Sequence, residues 1–294
     1  MSDSKTEGCQ SNTIRSKWFE ISATVVRHHR IVLNEYEIVL YAPDIALNAM
    51  PGQFVMLLLG EGYSAEARRP FSLFRADPEA GTISIFYLAR GSFTSELAQK
   101  LPGDPVAIAG PLGKPFEWFR VQDTRHILVA GGIGAPPIYF LSREIKRWRD
   151  STSVENVALL VINAAKSAEL LVGTAEFESL NIDVRVVTGD GSAGEQGLAT
   201  DALRQEVEKC SATTGDTRIY ACGPMAMLRH VGAIGIAASV SCQLAIETAM
   251  PCGVGDCDGC SVRVLDCRSP TGLSIAKACV DGPIFEAHRL SWDI

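Results

Sequence analysis

Five of the chain's nine cysteines lie from Cys252 to Cys279, and three of them stand in the run Cys252-Gly-Val-Gly-Asp-Cys257-Asp-Gly-Cys260. An odd number of cysteines cannot pair completely as disulfides. A chain of 294 residues also buries enough surface to fold without such staples. Clustering therefore points to a thiolate-bound inorganic centre. The spacing C-x4-C-x2-C with a distant fourth cysteine is the plant-type pattern for a [2Fe–2S] cluster. A tight loop around a cluster needs backbone that approaches closely, which Gly253, Gly255 and Gly259 permit. Zinc is the competing reading, but zinc sites built from four cysteines favour two paired CxxC elements, and only Cys257 and Cys260 form one here. For the fourth ligand, Cys267 is nearer in sequence, but a strand over 261–265 carries the chain away from the loop first, which favours Cys279. Cys9, Cys210 and Cys242 have no cluster spacing and read as exposed or core thiols.

The length allows about two domains at ~150 residues each. Hydrophobic residues at 47% and charged residues at 21% exclude wholesale disorder. Lys+Arg 27 against Asp+Glu 34, a net charge of −7, argues against a dominant nucleic-acid-binding surface. The first residues are polar and lack the apolar core of a signal peptide. The uncharged stretches 127–142 and 231–246 are Gly-containing and fall short of the ~20 apolar residues that span a bilayer. The expectation is a cytoplasmic protein with no membrane or nucleic-acid partner, in a compartment that keeps thiols reduced.

Residues 1–16 read as a flexible tail. From 17 to 121 short apolar runs alternate with Gly and Pro: Phe54-Val-Met-Leu-Leu-Leu59, Thr82-Ile-Ser-Ile-Phe-Tyr-Leu88 and Val106-Ala-Ile-Ala109. That density of punctuation predicts a small antiparallel β-barrel or sandwich. From 122 to 236 strands (126–130, 157–162, 184–188, 218–222) alternate with helices (136–149, after Ser167, 200–209), which predicts a Rossmann-like, doubly wound parallel sheet. Residues 237–294 read as a third, small module that carries the cysteines.

Two further groups of residues carry chemistry. Gly131-Gly132-Ile133-Gly134 follows a predicted strand and opens a helix, where glycines admit a pyrophosphate and the helix N-terminus favours its charge. Asp190, in Thr188-Gly-Asp-Gly-Ser192, and Cys222-Gly223-Pro224 both follow strands of the same sheet, at whose carboxyl ends ligands bind. In the β-rich part, Arg69-Pro70-Phe71-Ser72 joins a cation, an aromatic and a hydroxyl in a pattern that suits a phosphate together with a planar ring. Leu88 and Arg90-Gly91-Ser92-Phe-Thr94-Ser95 follow, with a short helix predicted over 94–100. No Ser-His-Asp or paired-carboxylate arrangement competes, and the five His are scattered.

In this order, these residues resemble the ferredoxin reductase family, in which a flavin-binding barrel precedes a nicotinamide-binding α/β domain. The resemblance gives Arg69, Pro70, Phe71, Ser72, Leu88, Gly91, Ser92, Thr94 and Ser95 to FAD. It gives Gly131, Gly132, Ile133, Gly134, Asp190, Cys222, Gly223 and Pro224 to NAD, with Cys222 near the nicotinamide and no catalytic residue beyond the cofactors. A C-terminal [2Fe–2S] segment with Cys279-Val-Asp-Gly-Pro-Ile-Phe285 narrows the likeness to the electron-transfer subunits of type B, NAD-dependent dihydroorotate dehydrogenases. Cys252, Cys257, Cys260 and Cys279 are then the metal ligands.

The function this resemblance implies is an oxidoreductase subunit of pyrimidine biosynthesis, passing electrons between NAD(H), FAD and a [2Fe–2S] cluster. Its partner would be a catalytic FMN-containing subunit, in a heterotetramer. Related subunits serve sulfide dehydrogenases, hydrogenases and ferredoxin–NADP transhydrogenases, and a zinc-stabilised binding module is the reading from another class. The chain departs from the resemblance at Asp256 and Asp258, where small or apolar residues are expected, and at Asn163-Ala-Ala-Lys166, where a Gly and an Arg are expected.

Overall fold

The computed structural model describes residues 17–292 except 33, 61–66, 119–123, 153, 155 and 211–215. The expected tail over 1–16, with Cys9, lies outside the described residues, as do the junction around Val121 and the side chain of Cys210.

The first part is one antiparallel sheet. Its strands are β1 (Phe19–Val32), β2 (Glu35–Tyr41), β3 (Phe54–Leu58), β4 (Arg69–Ser72), β5 (Arg75–Asp77), β6 (Thr82–Leu88) and β7 (Pro105–Leu112). They run in the order β4-β3-β7-β1-β2-β6-β5, with α1 (Pro43–Asn48) and α2 (Ser92–Leu97) on connections. The ladder curls as a half-barrel around Ile38, Leu40, Leu57, Ile83, Ile85 and Ile108, all of which are buried. Strand β4 takes an edge, where Pro70 can pair with Met56 without a missing N–H breaking a second ladder.

The second part contains β8 (Thr124–Gly131), α3 (Ala135–Ser151), β9 (Val157–Ala165), α4 (Thr174–Ser179), β10 (Asp183–Thr188), β11 (Glu195–Gln196), α5 (Ala199–Cys210), β12 (Asp216–Cys222), α6 (Met225–Ala237) and β13 (Ser241–Ala245). The hairpin β14 (Ser261–Leu265) and β15 (Leu273–Lys277) follows, then β16 (Ile284–Glu286). The sheet order is β11-β10-β9-β8-β12-β13-β16, parallel except for β16. Strand β8 is apolar on both faces because both are covered. Ile127 and Val129 share a core with Leu203 of α5 and Leu228 of α6, while Leu128 and Ala130 share one with Ile138 and Leu141 of α3.

The cysteine-bearing region is not set apart from this sheet. Residues 239–247 alternate apolar and polar, a pattern that suits a half-exposed strand, yet β13 is buried against β12 and Gln243 goes inward with it. Both ends of its amide are engaged there: Oε1 accepts from the Glu117 N–H at 2.9 Å, and Nε2 donates to the Glu117 carbonyl at 2.9 Å. Gln243 thus fastens the chain leaving the half-barrel to the edge of the parallel sheet.

One apolar core runs through all three parts, from Met56 and Leu112 of the half-barrel through Ile127 and Leu244 to Val264, Ala276 and Ala278 of the hairpin region. At Gly253, where φ is +74°, an added Cβ would fall 2.6 Å from Met56 Cγ, so the cysteine loop lies directly on the half-barrel. Among the described residues, no helix is long and apolar enough to cross a membrane.

Candidate functional site

Strand β8 connects outward to β9 on one side, and the chain later returns to β12 on its other side. The turns after β8 and β12 therefore diverge, leaving a crevice at the carboxyl end of the sheet, the place where ligands of such folds bind. Gly134 and Cys222 meet at its floor. A Cβ on Gly134 would stand 2.3 Å from the Cys222 carbonyl oxygen, so only hydrogen fits. Pro136 and Pro137 sit in the first turn of α3, where fixed φ and a missing N–H carry no penalty. The N-terminus of that 17-residue helix faces the crevice, where its dipole favours negative charge.

A cavity of about 360 Å³ opens where the crevice meets the half-barrel. Pro70, Phe71 and Ser72 of β4, with Tyr87 and Leu88 of β6 and Arg90, form one wall. Ile133, Gly134 and Cys222 form the second. The third is Ile246, Glu247, Thr248 and Met250, the segment between β13 and the cysteines. No pattern in the sequence marks this third wall; it exists because β13 ends at the same height as β8 and β12.

The aromatic wall is held from behind. Phe71 meets Tyr87 edge-on at 6.0 Å and Phe93 at 6.0 Å, and Tyr87 stacks on Tyr36 at 5.6 Å. His28 Nδ1 lies 2.8 Å from the Lys100 carbonyl, which only accepts, so in the neutral ring that nitrogen carries the proton. His28 Nε2 is left to accept from the Tyr87 hydroxyl at 2.9 Å. Burial, then the neighbouring Tyr36, pushes the Tyr87 phenol above its ordinary range, so it stays a donor.

Arg69 is exposed beside the cavity, its guanidinium 5.7 Å from the Phe93 ring centroid and Nη1 donating to the Ala67 carbonyl at 2.7 Å. Helix α2 begins two residues earlier than the expected 94–100 and ends at Leu97. Thr94 Oγ1 accepts from the N–H groups of Arg90 at 2.9 Å and Gly91 at 3.0 Å, which folds 90–94 into a tight polar turn. Ser92 and Ser95 lie in that helix. On the sheet side, Gly131, Gly132, Gly223 and Pro224 build the two crevice turns, and a Cβ on Gly223 would lie 2.9 Å from Gly131 Cα. Asp190 stands apart: it is exposed after β10, with Oδ1 accepting from the Ser192 N–H at 3.0 Å and hydroxyl at 2.6 Å, bonds that hold its carboxyl below the usual range. Asn163, at the departure from the family pattern, is buried and donates to the Val172 carbonyl at 3.1 Å and Thr174 Oγ1 at 3.0 Å. Cys222 is pushed up to about 12, first by burial and then by the Glu247 carboxylate, and stays a neutral thiol.

The cysteines come together as two pairs. Cys252 and Cys257 Sγ lie 3.3 Å apart, and Cys260 and Cys279 Sγ lie 3.2 Å apart. All four are free thiols. The Cys257 N–H donates to Cys252 Sγ and the Cys279 N–H to Cys260 Sγ, each at 3.5 Å. Burial opposes ionisation of Cys252, but amide bonds from Cys257, Val254 and Gly255 outweigh it and bring that thiol down to about 6. Cys279 is held at about 12, chiefly by burial and then by its bond with Cys260. Cys267 is exposed in the turn joining β14 to β15, at the end of the hairpin away from Cys260 and Cys279.

A single Zn²⁺ bound at ~2.3 Å would draw four sulfurs around one point. Two thiol pairs, with amides aimed at sulfur, fit instead a centre with two metal ions, one per pair.

Lys277 closes the loop. Its Nζ donates to the Gly255 carbonyl at 2.7 Å and pairs with Asp258 at 3.1 Å. Asp258 holds its ammonium above the usual range, against the opposing effect of burial.

The comparisons with known proteins agree with this geometry. Residues 247–291 match the family model of the iron-sulfur cluster binding domain of dihydroorotate dehydrogenase B, and residues 128–232 match the oxidoreductase NAD-binding domain. The chain is 30% identical over 280 residues to the dihydroorotate dehydrogenase B (NAD(+)) electron transfer subunit of Desulforamulus reducens, covering 95% of this chain and 100% of that one. With the subunit of the same name from Geobacillus sp. it is 32% identical over 268 residues, covering 91% and 96%. Among solved structures, that of an NADH-dependent reduced ferredoxin-NADP oxidoreductase superposes with a TM-score of 0.75 at 27% identity, covering 92% of this chain and 90% of that one. With the half-barrel, the switch-point crevice and the paired cysteines in the same order along nearly its whole length, the chain belongs to the family of dihydroorotate dehydrogenase B electron transfer subunits.

Proposed function

We propose that this chain carries electrons between NAD(H) and a partner flavoenzyme that oxidises dihydroorotate to orotate, by way of FAD in the cavity and a [2Fe–2S] cluster on Cys252, Cys257, Cys260 and Cys279. One observation carries the reading: the cavity's third wall runs straight into the cysteine loop. Met250 lines the cavity and Cys252 is two residues on, so their Cα atoms stand at most about 7 Å apart. When bound, the flavin would supply hydride exchange with nicotinamide and the cluster one-electron transfer.

The chain's own residues supply position and electrostatics. Phe71 and Tyr87, set edge-on to each other, give an apolar wall for a planar ring, and His28 holds the Tyr87 hydroxyl in place. Arg69, Arg90 and the turn from Gly91 to Ser95 offer cations and hydroxyls to a pyrophosphate on the half-barrel side. Gly131, Gly134 and Gly223 pack the two turns together, and the less buried Gly132, Ile133 and Pro224 would meet the second dinucleotide over the N-terminus of α3. Asp190 would reach that dinucleotide only at its outer rim. Cys222 borders the cavity as a neutral thiol and takes no proton in the reaction. In domain terms we assign 17–121 to flavin, 122–236 to nicotinamide and 237–294 to the cluster, β13 and β16 of the last completing the sheet of the second. The reduced thiols that a cluster needs support a cytoplasmic location.

Anaerobic purification tests this directly. The expected protein contains flavin, iron and acid-labile sulfide, and co-purifies with an FMN enzyme that forms orotate when dihydroorotate and NAD+ are supplied. Zinc without sulfide, or a protein without flavin, overturns the reading. The likeness to the NADH-dependent reduced ferredoxin-NADP oxidoreductase supports a second reading, the same electron path serving a ferredoxin-linked partner. Capture of such a partner, with no orotate formed, decides for it.

A further inference from the structure

Lys277 joins the two chain segments that bear the cysteines. It ends β15, opposite Ser261 in the register, next to Cys260. Its backbone holds the turn around Cys279: the N–H donates to Asp281 Oδ2 at 2.8 Å, and the carbonyl accepts from the N–H groups of Val280 at 3.0 Å and Asp281 at 2.7 Å. Its side chain then crosses to the other segment and meets Gly255 and Asp258 between Cys252 and Cys260. The two charges are unequally placed. The Lys277 side chain is 34% exposed and that of Asp258 is 85% exposed.

We propose that Lys277 and Asp258 are a pair of opposed charges that set the reduction potential of the centre held by the four cysteines, Lys277 raising it and Asp258 lowering it. This rests on the cluster reading above. Reduction adds one electron to the centre, so a fixed cation beside it favours the reduced form and a fixed anion opposes it. An exposed ion pair adds little to stability, so the pair has little purpose as a staple alone. It also accounts for Asp258, a carboxylate inside a loop that surrounds thiolates. The other carboxylates close by, Asp256 and Asp281, are left unchanged in the test. Asp281 is bonded to the Lys277 backbone and is not part of the pair.

The test is a potentiometric titration of the cluster, followed by electron paramagnetic resonance, on anaerobically purified holoprotein. Lys277→Gln removes the charge and keeps a donor for the Gly255 carbonyl; its midpoint is expected below wild type. Asp258→Asn is expected above wild type. The double variant should return towards wild type, and Lys277→Arg should stay near it. High salt should shrink the single-variant shifts, since exposed charges are screened. A merely structural staple gives a different result: both single variants lose iron or shift the same way, and that outcome overturns the proposal. So does an unmoved midpoint at full iron content. If Lys277→Gln fails to hold its cluster, Asp258→Asn decides alone, because its side chain is solvent-exposed. Wild-type protein with no cluster signal overturns the cluster assignment, and this inference with it; a wild-type signal with unmoved variants overturns this inference only.

Discussion

At the crevice between β8 and β12, Gly134 sits against the Cys222 carbonyl with room for one hydrogen, and parallel strands in full register hold both turns in place. In the cysteine loop, residues 251–260 form bends and turns without helix or strand, and amides of the ligand segments end on sulfur. The first region is shaped by packing that exists without any bound group. The second borrows its shape from the thiols themselves. Removal of a nucleotide should therefore leave the crevice intact, whereas loss of a cysteine side chain should disturb the loop and little else.

The largest effect expected from breaking this contrast is on electron delivery. Cys257→Ser or Cys279→Ser should abolish transfer to the partner enzyme while leaving NADH oxidation by small dyes largely intact. Cys267→Ser, at the far end of the hairpin, should leave both unchanged. Loss of dye reduction in a folded, flavin-loaded Cys279→Ser protein would show that the cluster does not lie beyond the flavin.

The crevice should respond in the opposite way. Gly134→Val drives a side chain into backbone that cannot yield, at a cost of about 3 kcal/mol or more. For a chain of this size that corresponds to a melting temperature lower by about 6–12 °C. A Gly134→Val protein that melts like wild type would mean that the two turns are free to separate, and that the crevice is no more prebuilt than the loop.

Within the loop the two thiol pairs differ once the centre is removed. Cys252 at about 6 is mostly thiolate at neutral pH, while Cys279 at about 12 is not. Even after allowing for the weaker nucleophilicity of the more acidic thiol, iodoacetamide should label Cys252 about a hundredfold faster than Cys279. Mass spectrometry of the alkylated apoprotein at pH 7 reads the ratio. Equal labelling would mean that the loop loses its amide–sulfur bonds along with the metal.

The same contrast explains what could be read before the structure. Ligand spacing is local chemistry, so Cys252, Cys257 and Cys260 announced their centre. The buried strands around Ile127, Leu160 and Ile219 announced the sheet, because both of its faces are covered. Gln243 was opaque: its burial depends on Glu117, more than a hundred residues away, and a polar side chain in an alternating run otherwise reads as solvent-facing. The cavity wall from Ile246 to Met250 has no motif, since it is made by where a strand stops. Lys277 reads as any exposed lysine until the fold brings Gly255 to its ammonium. Asp190 shows the reverse, a motif residue whose carboxylate is taken up in its own turn.

The smallest effect concerns the half-barrel side of the cavity, where a prebuilt region carries a buried charge. Glu35 opens β2 opposite Leu88 and is 6% exposed. Burial, then the Glu176 carboxylate, raises it to about 7 against the pull of Arg90. Between about pH 4.5 and 7 the folded chain keeps this proton while the unfolded chain has lost it, so stability falls as the pH rises through that window and levels off above it. Glu35→Gln removes the titration. Its melting temperature should exceed that of wild type at pH 8, and the gap should close as the pH is lowered towards 4.5. A gap that does not change with pH would place Glu35 in a hydrated setting and would give this corner of the cavity the looseness that the comparison reserves for the cysteine loop.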